Sequence, residues 1–178
     1  LEERLIRPAN YPPGTPGKGF TAIQVNGIQI GIVNVAGRTF MPQIDCPFRS
    51  CNQIISSLKE LCNVIIIDFH AETTSEKMAL AWYLDGQVSC VVGTHTHVQT
   101  ADERILPNGT AYITDLGMVG PWDSVLGVDK DIVIKKFLTG LPVRFNLASG
   151  QTVFNAVIIT VDPHSGEAKK IIRVREHL

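Results

Sequence analysis

Two short apolar runs, residues 64–69 and 88–92, constrain this chain more than any other feature. The first is continuous valine and isoleucine up to Asp68, and the second is Val-Ser-Cys-Val-Val. A continuous β-branched run like the first suits a strand covered on both faces, as in parallel sheets flanked by helices, and the second reads as the next buried strand. Between them, residues 74–84 carry Met78, Ala81, Trp82 and Leu84 at helical spacing behind an acidic first turn at Glu76. Strand, helix and strand within about 30 residues predict a right-handed βαβ unit, hence an α/β fold.

The flanks add to this unit. Asn26-Gly27 between apolar stretches 21–25 and 28–35 predicts a β-hairpin, because both residues tolerate the positive φ of a tight turn. Ile54, Ile55, Leu58 and Leu61 predict a helix over 50–61. A short strand over 111–114 leads into a glycine-rich loop at 116–127, and a helix is expected at 132–138. Strands at 153–161 and 168–174, joined by Pro163-His164-Ser165-Gly166, predict a terminal hairpin. Residues 1–20, rich in Pro and Gly, read as an extended connector. Hairpins at both ends of a βαβ unit imply a layered α/β fold with a mixed sheet or two stacked sheets.

At 178 residues and 44% hydrophobic, the chain suits one domain or most of one. A net charge of -1 supplies no footprint for a nucleic-acid groove or an acidic membrane. No apolar run approaches the ~20 residues of a membrane helix, and no secretory signal opens the chain. Cys46, Cys51, Cys62 and Cys90 lack a C-x-x-C pair and read as buried free thiols of a reducing, cytoplasmic compartment. A Cys46–Cys51 disulfide or a zinc ligand set stays open, without support from the spacing. Homo-oligomerisation also stays open. The chain starts at Leu1 rather than Met, so the expectation is that the natural protein begins further upstream.

Chemistry concentrates where the two buried strands end. His70 follows the first, and His95 and His97 follow the second. Ligands gather beyond the carboxyl ends of parallel strands, where the chain opens into loops. If the segment stays extended, His95 and His97 lie on one side with Cα atoms about 6–7 Å apart, within reach of one ion or of two neighbouring ions. A lone strand-end histidine is more often a solvated side chain. His-x-His after one strand and Asp-x-His after the next tip the balance toward metal, with zinc, iron, manganese and nickel all suited to imidazole. Asp68 and Glu72 bracket His70 and could orient an imidazole by accepting its free N–H; the alternative is that Glu72 and Glu76 favour a helix N-terminus. Thr94 and Thr96 could hydrogen-bond a phosphate oxygen. His164 and His177 read as ordinary surface residues. Three histidines cannot fill two coordination spheres, so the site is mononuclear or draws ligands from outside these residues.

The blocks Ile67-Asp68-Phe69-His70-Ala71-Glu72 and Gly93-Thr94-His95-Thr96-His97-Val98-Gln99-Thr100-Ala101-Asp102 resemble the bacterial YmdB-like branch of the calcineurin-like metallophosphoesterases. The resemblance extends through Trp82-Tyr83-Leu84-Asp85-Gly86, Tyr112-Ile113-Thr114-Asp115, Gly117-Met118-Val119-Gly120-Pro121 and Leu5-Ile6-Arg7-Pro8-Ala9-Asn10-Tyr11-Pro12, so it spans nearly the whole chain. It implies a four-layer αββα sandwich of which this chain is the C-terminal two-thirds. It also implies a metal-bound hydroxide that hydrolyses 2',3'-cyclic nucleotides. His70, His95 and His97 would ligate two divalent ions, usually iron or manganese. The family's Asp, bridging Glu and Asn-His motifs, the last carrying the catalytic acid, do not occur here, so no catalytic residue is assigned within these residues. The loop 117–126, with Trp122 and Asp123, is the expected place for nucleotide contacts. Three rivals stand beside this reading. They are a phosphomonoesterase or 3',5'-cyclic phosphodiesterase with the same ligands, a non-catalytic metal- or nucleotide-binding regulator, and an α/β interaction domain with merely buried histidines.

Overall fold

A computed structural model describes residues 5–178, so the first four residues of the expected connector lie outside the described ones. The hairpin forms where Asn26-Gly27 places it: β1 (Phe20–Val25) turns into β2 (Ile28–Ala36), with φ of 49° at Asn26 and 84° at Gly27. β2 then pairs in parallel with β3 (Val64–His70), and β3 in parallel with β4 (Cys90–Thr94). β4 pairs in parallel with β6 (Ala111–Ile113), which carries a two-residue antiparallel edge strand, β5 (Arg104–Ile105). The sheet order is β1-β2-β3-β4-β6-β5, so the two histidine-bearing strands are neighbours.

The first two of the three parallel crossovers are helical. α1 (Pro47–Leu58) links β2 to β3, and α2 (Thr74–Tyr83) links β3 to β4. Cys51, Ile55 and Leu58 of α1 and Leu80 and Ala81 of α2 pack on Val35, Ile65, Ile67, Phe69 and Val91 of the sheet. Strand alternation sends Cys90, Val92, Ala111 and Ile113 to the opposite face, where Val157, Ile159 and Ile171 cover them. These last residues belong to a second sheet of order β7-β8-β9: β7 (Gly120–Pro121), β8 (Thr152–Val161) and β9 (Ala168–His177). Helices, six-stranded sheet and three-stranded sheet therefore stack in the order that an αββα sandwich requires. The outer face of the small sheet exposes Phe154, Ile158 and Ile172, and α3 (Lys130–Thr139) buries only Val133.

Several boundaries differ from the sequence expectation, among them three strand or helix ends. α1 starts at Pro47, because proline at the first helical position gives up an N–H that has no partner there anyway. The second buried strand starts at Cys90 instead of Val88, with the Ser89 hydroxyl accepting the Ile65 N–H at its entry. β9 reaches His177 because β8 offers it a pairing partner to that point. All four cysteines are free thiols, and burial pushes Cys51 and Cys90 up to about 12, so both stay neutral and unreactive. No helix among the described residues is long and apolar enough to cross a membrane.

Candidate metal centre

The parallel register of β3 and β4 sets His70 beside Thr94, so side chains at both strand ends meet. Past Thr94 the chain leaves the strand. His95 and His97 adopt φ of 108° and 67°, a region that costs a residue with a Cβ about 1–3 kcal/mol. The extended alternation expected of His95-Thr96-His97 is therefore corrected: the two rings diverge. His95 turns back onto His70, with ring centroids 4.8 Å apart and planes at 89°. His97 points to the 117–126 loop, where its Nδ1 lies 3.1 Å from the Leu126 carbonyl.

A buried anchor holds this turn. The Lys77 ammonium and the Asp115 carboxylate pair at 2.8 Å, each side chain 1% exposed. The same carboxylate accepts the Thr96 N–H, between the two histidines, at 3.0 Å and the Gly117 N–H at 2.9 Å. Burial alone raises the Asp115 carboxyl, but these donors, Lys77 foremost, outweigh it and hold the group below the usual carboxylate range. Gly93, within β4, permits this approach: a Cβ there would lie 1.7 Å from the Thr114 carbonyl oxygen, so no other residue lets the end of β4 run this close to the segment after β6.

Hydrogen bonding fixes which nitrogen of each imidazole is free. Asp68 accepts from Asn34 Nδ2 at 2.7 Å and from the Thr94 hydroxyl at 2.9 Å. A carboxylate can only accept, so the single Thr94 proton is committed to it. Thr94 Oγ1 must then accept from His70 Nδ1, 3.1 Å away, which leaves the lone pair of His70 on Nε2. Glu72 accepts from His95 Nε2 at 2.8 Å, leaving Nδ1 as the nitrogen able to ligate. The Leu126 carbonyl does the same for His97, leaving Nε2. His70 Nε2 and His95 Nδ1 face each other at 3.1 Å. Two imidazole nitrogens bound to one ion at about 2.1 Å and at 90–110° lie about 3.0–3.4 Å apart, so the pair fits a shared cation. Burial, then the nearness of His95, hold His70 below the usual imidazole range against the pull of Asp68, which favours the neutral ring that metals require.

His70, His95, Asp68, Glu72 and Thr94 thus come together, and His97 stands apart. Among the described residues no group of three His, Cys, Asp or Glu side chains gathers closely enough to hold an ion by itself. Thr94 is not available to a phosphate, because its hydroxyl is engaged between Asp68 and His70. Trp122 packs between Arg175 and His177, and Asp123 pairs with Lys130, so the loop approaches the histidines through the Leu126 backbone. Sequence reading missed the functional weight of Asn34, Lys77 and Asp115. Asn34 gave a signal as a polar residue within the otherwise apolar end of β2, and Asp115 stood in a block of the family resemblance without a role assigned to it.

Known proteins share this sequence and this fold. Residues 1–174 match the family described as YmdB-like protein. The chain is 55% identical over 170 residues to the 2',3'-cyclic-nucleotide 2'-phosphodiesterase of Bacillus subtilis (strain 168), covering 96% of this chain and 64% of that protein. The crystal structure of a hypothetical protein from Thermus thermophilus superposes with a TM-score of 0.91 at 44% identity, covering 97% of this chain and 67% of that one. A novel phosphatase from Mycoplasma pneumoniae gives 0.90 at 37% identity, covering 99% and 64%. The chain spans about two thirds of the length of these relatives. With its matching residues running from one end to the other, the chain belongs to the YmdB-like family.

Proposed function

We propose that the protein is a metal-dependent phosphodiesterase that hydrolyses 2',3'-cyclic nucleotides or closely related phosphodiesters, with two divalent ions of iron or manganese as cofactors. The observation that carries this reading is the facing pair of lone-pair nitrogens, His70 Nε2 and His95 Nδ1, 3.1 Å apart. Two such lone pairs repel unless a proton or a cation lies between them. His70 and His95 would ligate through these atoms and His97 through Nε2, while the two ions together need further oxygen donors. Cations held there would supply a lowered pKa for a bound water and positive charge against that building at phosphorus.

Side chains of this chain set the tautomers of the ligating histidines. Asp68, acting through Thr94, keeps His70 in the ligating tautomer; Glu72 and the Leu126 carbonyl do so for His95 and His97. The near-neutral charge supports a small nucleotide over a nucleic-acid duplex, and four free thiols support a cytoplasmic setting. The activity for which the Bacillus subtilis relative is named supports the cyclic nucleotide.

The test uses the full-length gene product loaded with Mn(II), assayed on bis-p-nitrophenyl phosphate and on 2',3'-cyclic AMP. Both substrates should turn over, and His70→Ala and His95→Ala should each lose bound metal and most of the rate. Wild-type metal content and rate in both variants would overturn the site. A metal-loaded wild type that leaves every 2',3'-cyclic nucleotide intact would overturn the substrate.

A further inference from the structure

Beside His70, on the β2 side of the sheet, lies an apolar cavity of about 240 Å³. Tyr11, Pro12, Met41, Pro42 and Ile44 form its walls, Ala36 and Gly37 its floor, and His70 its inner edge. Its walls come from two loops far apart in sequence, and one buried side chain ties them together. Asn10, 1% exposed, donates to the carbonyls of Ala36 (2.7 Å) and Asp45 (2.9 Å) and accepts the Ala36 N–H (2.9 Å). The Asp45 N–H returns a bond to the Asn10 carbonyl at 3.1 Å. Behind the floor, Gly37 N–H bonds the His70 carbonyl, and the Glu76 carboxylate accepts the N–H groups of Arg38 and Thr39. The cavity is therefore built in advance, with these polar groups engaged in holding its shape.

We propose that this cavity receives the base of the nucleotide whose phosphate is cleaved at the histidines. The inference rests on the phosphodiesterase reading and deepens it by naming the residues that tell a nucleotide from another diester. Three observations favour a base. The cavity shares His70 with the metal site, so a ligand seated there reaches both. Its lining offers an aromatic ring at Tyr11, a thioether at Met41 and the apolar rings of Pro12 and Pro42, surfaces on which a π-system packs. Besides Tyr11 and His70, no side chain lining it offers a donor or acceptor. Recognition by stacking without hydrogen-bond readout tolerates all bases, so adenine, guanine, cytosine and uracil 2',3'-cyclic nucleotides should be cleaved with similar efficiency.

The experiment compares the Mn(II)-loaded full-length protein on 2',3'-cyclic AMP and on ribose 2',3'-cyclic phosphate, which has no base. Its readout is the ratio of the two kcat/KM values. Loss of one stacking partner should lower that ratio about tenfold in Tyr11→Ala and in Met41→Ala, mainly through KM for the nucleotide. A ratio unchanged from wild type, or equal losses on both substrates, would overturn the base site. If wild type cleaves neither compound, the phosphodiesterase reading fails instead. Calorimetric titration with AMP then tests the cavity by itself: weaker binding in Tyr11→Ala upholds it, and unchanged binding overturns it.

Discussion

Replacing Lys77 with methionine removes one half of the buried pair that anchors the His95-Thr96-His97 turn. The ammonium and carboxylate lie 2.8 Å apart, each 1% exposed, so water does not reach the charge left behind. Breaking such a pair costs about 3–5 kcal/mol, because the surviving charge stays desolvated. Asp115 retains the Thr96 and Gly117 N–H donors at 3.0 and 2.9 Å, which places Lys77→Met near the lower bound, about 3 kcal/mol. For a chain of this length that corresponds to a fall in Tm of about 6–12 °C. Urea denaturation of wild type, Lys77→Met, Asp115→Asn and the double variant forms a complete cycle. The double variant should recover part of the loss, since a neutral amide no longer needs a counter-charge. A loss below about 1 kcal/mol in Lys77→Met, or a double variant no more stable than either single one, would refute the anchor.

Other outcomes follow from the same geometry. Thr94→Val cuts the path from Asp68 to His70 and should weaken Mn(II) binding about 10–100-fold, with Thr94→Ser close to wild type by calorimetry. Gly93→Ala would drive a methyl into the Thr114 carbonyl and should leave little folded protein by circular dichroism. His70 is held below its usual range, so between the unfolded value near 6.5 and the folded one the unfolded chain binds a proton that the native chain refuses. Its contribution to stability is thus complete above about pH 6.5 and is lost as pH falls through the folded value. The urea midpoint should drop from about pH 7.5 to about pH 5.5, and drop less in His70→Gln.

Much of the scaffold is legible because local patterns fix it. Short apolar runs placed β3 and β4, Asn26-Gly27 placed the first turn, and the strand-end positions of His70 and His95 put the candidate site at the carboxyl edge of the sheet. Two kinds of information are not local. The turn after Thr94 is imposed by Lys77 and Asp115, which lie far apart in sequence and meet only once β4 and β6 are neighbours. Nothing in Gly-Thr-His-Thr-His announces a positive φ at residues that carry a Cβ, so extended geometry is the natural expectation there. In the same way, β5 is two residues long and exists only because β6 offers an edge to pair with.

Anomalous diffraction from crystals equilibrated with Mn(II) tests the metal centre most directly. A peak should appear between His70 and His95, about 2.0–2.3 Å from Nε2 of the first and Nδ1 of the second, with Glu72 still on His95 Nε2. Manganese bound elsewhere, with no peak between those two nitrogens, would contradict the account.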